Sequence, residues 1–397
     1  MSKQIKIANI LFSLACLLLL AAVWVWGMLQ PKETMSRYEN RALAELPQFS
    51  AETAADGSYF TKLETALCDH SPFRDGLLRL RTRLDLLLAR PVINTVIPTE
   101  SGVILPYLEY EAVHPETVRA AAEKNAEELR ELQRRIEGYG GKFLFVPVPG
   151  QYTYFQENYP SYLNNGEEKA AVSYEAFMQK AKENGLNVLD ISSAWAAEGN
   201  PKDYMSSVDH HYTFAGGASV YERIIARLQE MGVPVEKAEL QTETLENVYL
   251  GSRAVRLCEL WESEERLTYG YPTKQISFTR YDWGNKTPGA ETVLALPAGE
   301  EPVRYTLYMG NDVSETILQT NREELPDCLI FGDSFTNLQE TLLYASFDEM
   351  RSLDLRHFKE SSLWDYVEEH HPPVVICIHD QEVLSSFGGM GDLLSDQ

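Results

Sequence analysis

The feature that most constrains this chain is an apolar run from Ile7 to Leu29, broken only by Asn9, Ser13 and Gly27. As a helix it reaches about 34 Å, enough to cross a bilayer. Lys3 and Lys6 precede it, and Trp24 and Trp26 stand near its far end, where indoles favour the interface. No small-x-small cleavage pattern closes the run, so an uncleaved anchor is expected. A short basic start and a very long tail favour export of the tail, although Lys32, Arg37 and Arg41 follow the run. The expected location is the cell membrane, single-pass, with the folded part extracytoplasmic.

That exported part must bury a core of its own, and 44% hydrophobic residues supply one. Its surface is acidic, with 35 Lys and Arg against 59 Asp and Glu, a formal charge of −24. Nucleic-acid binding is excluded, because that affinity rests on basic side chains replacing counterions. Outside the anchor, Cys68, Cys258, Cys328 and Cys377 form no CxxC pair. The sequence therefore offers no zinc site and no cofactor motif, and Cys328 and Cys377 sit in apolar runs expected to be buried strands.

After the anchor (1–30), residues 31–100 read as a membrane-proximal stalk, with Pro31, Pro47 and Gly57 as breaks and an amphipathic docking helix from Phe73 through Leu88. From 101 to 397 helices and apolar strands alternate. Pro115 opens a long helix that stops at Gly138 to Gly141, and Phe143 to Val148 follows as a strand. Glu167 to Asn184 is a helix capped by Gly185, and Leu186 to Asp190 reads as a second strand. A β-rich, irregular excursion occupies about 235–327. The rhythm then returns with a strand at Cys328 to Phe331, helices near Asn337 to Tyr344 and Ser362 to Glu369, and a strand at Val374 to Ile378. Such alternation predicts an α/β fold, a doubly wound parallel sheet covered on both faces.

Two segments carry chemistry. Leu329 to Phe331 ends in Gly332-Asp333-Ser334 and enters a helix, which exposes Ser334 at a sharp turn with its amide near a helix N-terminus. A serine needs a base and a group to orient that base. Asp209-His210-His211 supplies both, and in an extended segment residues i and i+2 share a side, which selects His211 over His210. Gly310 and Asn311, in the turn Tyr308 to Asp312, are candidates for an oxyanion hole. Gln151, Tyr152 and Tyr154 leave the carboxyl end of a strand, where ligands bind in open α/β sheets, and the tyrosine rings suit sugar stacking.

These residues resemble the DHHW family, relatives of alginate O-acetyltransferases with SGNH-hydrolase folds. The likeness runs from Glu39-Asn40-Arg41 and Asp69-His70-Ser71-Pro72-Phe73-Arg74-Asp75, through Asp209 to Thr213, to Gly310-Asn311, Gly332-Asp333-Ser334 and Leu353-Asp354-Leu355-Arg356. It implies an SGNH-like fold and a triad of Asp209, His211 and Ser334 acting in O-acetyl transfer to a polysaccharide or other glycan. It adds Arg356 to the substrate-binding candidates. It also implies a partner, a multi-span membrane-bound O-acyltransferase that supplies the acyl group. Tyr212 stands where the family has Trp, and Gln151 where a Lys is expected. Two alternatives use the same residues differently: a glycan acetylesterase, in which water is the acceptor, and a catalytically silent glycan-binding subunit, which the missing cation at Gln151 keeps open.

Overall fold

The structure, a computed structural model, describes residues 3–29, 33–39, 41–110, 112–261, 263–282 and 289–394. Pro31, Lys32 and Asn40, used above, lie outside the described residues, as do the side chains of Lys3, Lys6 and Trp24. The chain divides into two compact units, one of residues 1–94 with 254–262 and one of 95–253 with 263–397.

The first unit opens with the helix Lys3–Leu29. Within it, Ile7–Gly27 is apolar and long enough to cross a bilayer. Three shorter helices follow at Ala51–Ala55, Ser58–Asp69 and Arg74–Leu87 among the described residues up to 94. Between the last two, Asp69 accepts hydrogen bonds from Arg41 at 2.6 and 2.8 Å and from the Ala44 N–H at 2.9 Å. Burial pushes the Asp69 carboxyl up, but the Arg41 guanidinium outweighs it and holds the group well below the usual carboxylate range.

The described residues of the second unit form ten strands. A hairpin pairs β1 (Val96–Pro98) with β2 (Ile104–Pro106), and another pairs β4 (Leu240–Thr244) with β5 (Thr268–Pro272). The remaining six, β3 (Lys142–Val148), β6 (Thr279–Asp282), β7 (Glu315–Gln319), β8 (Cys328–Gly332), β9 (Glu349–Asp354) and β10 (Val374–Asp380), form one sheet in the order β3-β10-β8-β9-β7-β6. The first four are parallel; β3, β10 and β8 fall on predicted apolar runs, whereas β9 is not expected from the sequence. Strands β7 and β6 extend the sheet antiparallel, so the excursion contributes directly to the main sheet. Leu186 to Asp190 is not a strand. It touches β3 through a single bridge between Val188 and Phe145, because Asp190 caps the helix Ile191–Glu198 and its carboxylate takes the Ser193 N–H.

Alternate strand residues bury on opposite faces. Phe143, Phe145, Leu329, Phe331, Val375 and Cys377 share one core with helices Pro115–Gly138, Glu167–Asn184 and Leu363–His370. Leu144, Val146, Ile330, Ile376 and Ile378 are as fully buried on the other side. Cys258, Cys328 and Cys377 are buried free thiols, and Cys68 is exposed and free.

From β8 the chain crosses to β9 on one side, and from β9 it returns past β8 to β10. Winding thus reverses at β8, and open α/β sheets form their ligand crevice outside such a point, at the carboxyl ends of the strands. Ser334 leaves the sheet there.

Candidate active site

Strand β8 ends at Gly332, where nothing larger fits. A Cβ on Gly332 would lie 1.7 Å from the Ile378 carbonyl oxygen of β10. The next residue fixes the turn: the Asp333 carboxylate accepts the Phe335 N–H at 2.9 Å and the Asp380 N–H at 3.0 Å, and lies 3.1 Å from His379 Nδ1. Burial raises its pKa, but His379 and these donors outweigh that effect and keep Asp333 ionised. Ser334 follows, 9% exposed, and Thr336–Leu343 continues as a helix.

His211 and Asp209 arrive from a bend that precedes the helix Phe214–Glu230, whose N-cap is Thr213. A bridge between Met205 and Tyr212 closes the bend. The helix is held close to Thr336–Leu343, since a Cβ on Gly217 would fall 2.4 Å from Leu338. Tyr212 ties the two segments directly: its hydroxyl donates to the Phe335 carbonyl and accepts from Gln339 Nε2 at 3.2 Å. A tryptophan in that position has no hydroxyl to do this.

The structure brings the three sequence-predicted residues together. His211 Nε2 lies 2.7 Å from Ser334 Oγ, and His211 Nδ1 lies 2.7 Å from Asp209 Oδ1. Asp209 is 1% exposed and His211 4%. Burial pushes the Asp209 carboxyl up, yet His211, the His210 ring and the Ser252 N–H together hold it well below the usual carboxylate range. The i, i+2 contact does not come from strand alternation. Asp209 Oδ1 takes the His211 N–H at 3.0 Å, so the carboxylate closes the bend that presents the imidazole. His210 does not point away either: its ring centroid is 3.7 Å from that of His211, and its Nδ1 is 2.6 Å from Ser252 Oγ. Desolvation and the neighbouring His211 lower the His210 pKa.

Asp209, His210 and His211 hold ligand atoms close enough for a metal ion. Those atoms are already engaged, however. Asp209 Oδ2 accepts the Ser252 N–H at 2.7 Å, and Ser252 Oγ is taken by His210.

Sequence reasoning missed three residues of this site. Ser252 orients both Asp209 and His210. Ser206 Oγ accepts the Asp209 N–H at 2.9 Å. Tyr305 stacks on the His211 ring with centroids 3.6 Å apart and planes 5° apart. Ser252 and Tyr305 belong to the excursion, where no local pattern distinguishes a site residue from a loop residue.

Gly310 and Asn311 are exposed, in a turn where Met309 and Gly310 have φ of 64° and 87°. Their neighbour Asp312 accepts from Asn337 Nδ2 at 2.9 Å, which ties this turn to the helix behind Ser334. Arg356 is not a free cation. It pairs with Asp354 at 2.6 Å and Asp312 at 3.1 Å, and the Asp354 hydrogen bond raises its pKa. Tyr152 and Tyr154 line a cleft of about 1160 Å³ that Asp380 and Glu382 also reach, and neither Ser334 nor His211 lines it.

Gln151 is fully buried and faces no solvent, which does not suit a substrate contact. Its Nε2 donates to the Ser206 carbonyl at 2.9 Å and the Ile104 carbonyl at 3.2 Å, so it braces the residue that braces Asp209. Replacing Gln151 by Leu is expected to destabilise the protein by about 1–3 kcal/mol, because these carbonyls lose a buried donor. The shift in urea midpoint measures it, and an unchanged midpoint would remove the bracing role.

Comparison with known proteins bears on the fold. Residues 107–295 match the family model described as the SGNH hydrolase-like domain of the acetyltransferase AlgX. That match includes Asp209 and His211 and ends before Ser334. Among solved structures, Bacillus cereus PatB1 with a sulfonyl adduct is similar at 16% identity, covering 75% of this chain and 97% of that one, with a TM-score of 0.59. A DHHW family protein from Eubacterium siraeum is similar at 18% identity, covering 76% and 97%, with a TM-score of 0.55. No curated protein matches. The Ile7–Gly27 helix anchors the chain in the membrane as a single span, with the folded part extracytoplasmic. Residues 107–295 are thus similar to the SGNH hydrolase-like domain of AlgX, and the chain shares the fold of PatB1 and of the DHHW family protein.

Proposed function

We propose that this protein is an O-acetyltransferase that moves an acetyl group from an ester donor to a hydroxyl of an extracytoplasmic polysaccharide, through an acetyl-enzyme on Ser334. The observation that carries the reading is the buried chain of hydrogen bonds from Ser334 Oγ through His211 to Asp209, at 2.7 Å for each link. Ser334 Oγ attacks the acetyl carbonyl while its proton passes to His211 Nε2. The donor's alkoxide leaves with that proton, and the acetyl group is now esterified to Ser334. An acceptor hydroxyl then gives its proton to His211 Nε2 and attacks the acetyl carbon, and Ser334 Oγ departs with the proton. Asp209 stays ionised and stabilises the imidazolium in both steps.

Negative charge on the tetrahedral oxygen needs donors. The Ser334 N–H has no protein acceptor among the described residues, and with Gly310 and Asn311 it is the proposed oxyanion hole. Tyr152 and Tyr154 are the proposed sugar contacts, through the cleft they line. The donor is proposed to reach the site from a membrane-bound acyltransferase partner.

The test is to incubate the detergent-solubilised full chain with an acetyl ester, with and without a glycan oligomer, and to follow free acetate and acetylated glycan together. Acetyl transfer that rises with glycan as free acetate falls is expected. Acetate release unaffected by glycan would make the protein an acetylesterase instead, and no turnover would leave the glycan-binding subunit.

A further inference from the structure

The helix Arg74–Leu87 is turned inside out. Its buried residues are Thr82 and Asp85, whereas Leu77, Leu80, Leu84 and Leu87 are 51–75% exposed, as are Phe73 at 64% just before it and Leu88 at 68% just after. At 100° per residue these six side chains fall within an arc of about 100°, a continuous apolar stripe. Soluble units rarely leave such a stripe open.

Hydrogen bonds fix this orientation. Thr82 Oγ1 accepts from Asn94 Nδ2 at 2.8 Å and lies 3.3 Å from Cys258 Sγ, and Asn94 Nδ2 also donates to the Arg256 carbonyl at 2.8 Å. Asp85 pairs with Arg90 at 3.1 Å and with Arg81 at 3.6 Å. Rotating the helix to hide its leucines would break this polar face and bury two arginines.

Two observations say what covers the stripe. The first is continuity with the membrane span: a Cβ on Gly27 would lie 2.8 Å from Pro72 Cγ, so the exit end of the span touches the residue before Phe73, where the stripe begins. The second is charge. On a chain of net charge −24, the stripe is bordered by exposed Arg81 on one side and Arg83 on the other, with Arg79 and Arg90 exposed nearby. Leucines flanked by arginines suit the boundary between acyl chains and anionic headgroups, where the arginine stems pack on apolar surface and the guanidinium groups reach phosphate.

We propose that Arg74–Leu87 lies in the surface of the bilayer that Ile7–Gly27 crosses, with the face from Phe73 to Leu88 in the anionic leaflet. The span would then be one of two membrane attachments, and the second would fix how the first unit tilts at the surface.

The test uses the full chain with Cys16→Ala and Cys68→Ala, a Leu80→Cys substitution, and a polarity-sensitive fluorophore on that cysteine. The protein is reconstituted in vesicles of phosphatidylcholine and phosphatidylglycerol, with or without lipids brominated high on the acyl chain. The proposal expects a blue-shifted emission that brominated lipid quenches, and an unshifted, unquenched emission from a label at Arg79→Cys on the polar side. Leu84→Cys should repeat the Leu80 result, which guards against one variant misfolding. A water-like, unquenched emission at both leucine positions overturns the proposal. So does a blue-shifted emission indifferent to bromine, which would mean that protein, a second copy or a partner, covers the stripe.

Discussion

Replacing Ser334 by alanine is expected to lower kcat/KM for an acetyl ester by about four to six orders of magnitude while the fold persists. The size follows from the mechanism, because no other hydroxyl stands within hydrogen-bond reach of His211 Nε2 among the described residues. The persistence follows from the site. Ser334 packs no core side chain, and its turn is held by Gly332 and by three contacts to the Asp333 carboxylate. Steady-state kinetics beside a thermal melt measure both. Activity within tenfold of wild type would remove Ser334 from the mechanism, and a collapsed melt would mean that the serine is structural.

The second large effect separates two adjacent histidines and carries a pH dependence. His211→Ala should match the loss at Ser334, whereas His210→Ala should cost far less, since its contacts are to Ser252 and the His211 ring. Asp209→Asn should lower the neutral-pH rate by about four orders of magnitude, because the amide no longer fixes the tautomer or stabilises the imidazolium. In the wild type, turnover should fall in acid as His211 takes a proton from solution and can no longer accept one from Ser334. Asp209 is not the source of that limb. Its folded pKa lies below the unfolded value of about 3.9, so its contribution to stability is fully present above that value and is lost only as pH falls toward the folded pKa. Asp209 should therefore keep supporting the fold while activity falls. Circular dichroism measured beside kcat/KM would reveal the opposite outcome, in which unfolding and inactivation coincide.

Much of the fold was legible because local signals carry it. Pro115 opens its helix, Gly185 ends another at φ 74°, and Ser362 caps a third. Of the parallel strands, β3, β8 and β10 read as apolar runs because both their faces are covered, whereas β9, mixed in polarity, does not. What was not legible is what distant residues decide. Thr279–Asp282 and Glu315–Gln319 are short and mixed in polarity, and they become strands only by pairing across the sheet with each other and with β9. Leu186 to Asp190 has strand composition but is claimed by a helix cap.

The candidate site divides the same way. Asp209, His211 and Ser334 stand in short motifs whose residue types announce their chemistry. Tyr305 and Ser252 act through stacking, one backbone N–H and one hydroxyl, which leave no pattern in a loop. Gln151 shows the reverse failure: its place after a strand suggested substrate, but only its partners Ser206 and Ile104 reveal a brace.

In the proposed reaction the acetyl group passes through Ser334, and one measurement reaches that step. The full chain is mixed with an acetyl ester, quenched in acid within the first turnovers, digested and mapped by mass spectrometry. An acetylated peptide bearing the modification on Ser334 is expected, lost in Ser334→Ala and discharged by adding glycan oligomer. Turnover that proceeds with Ser334 never acetylated, or an acetyl group found on another residue and passed on from there, would contradict it.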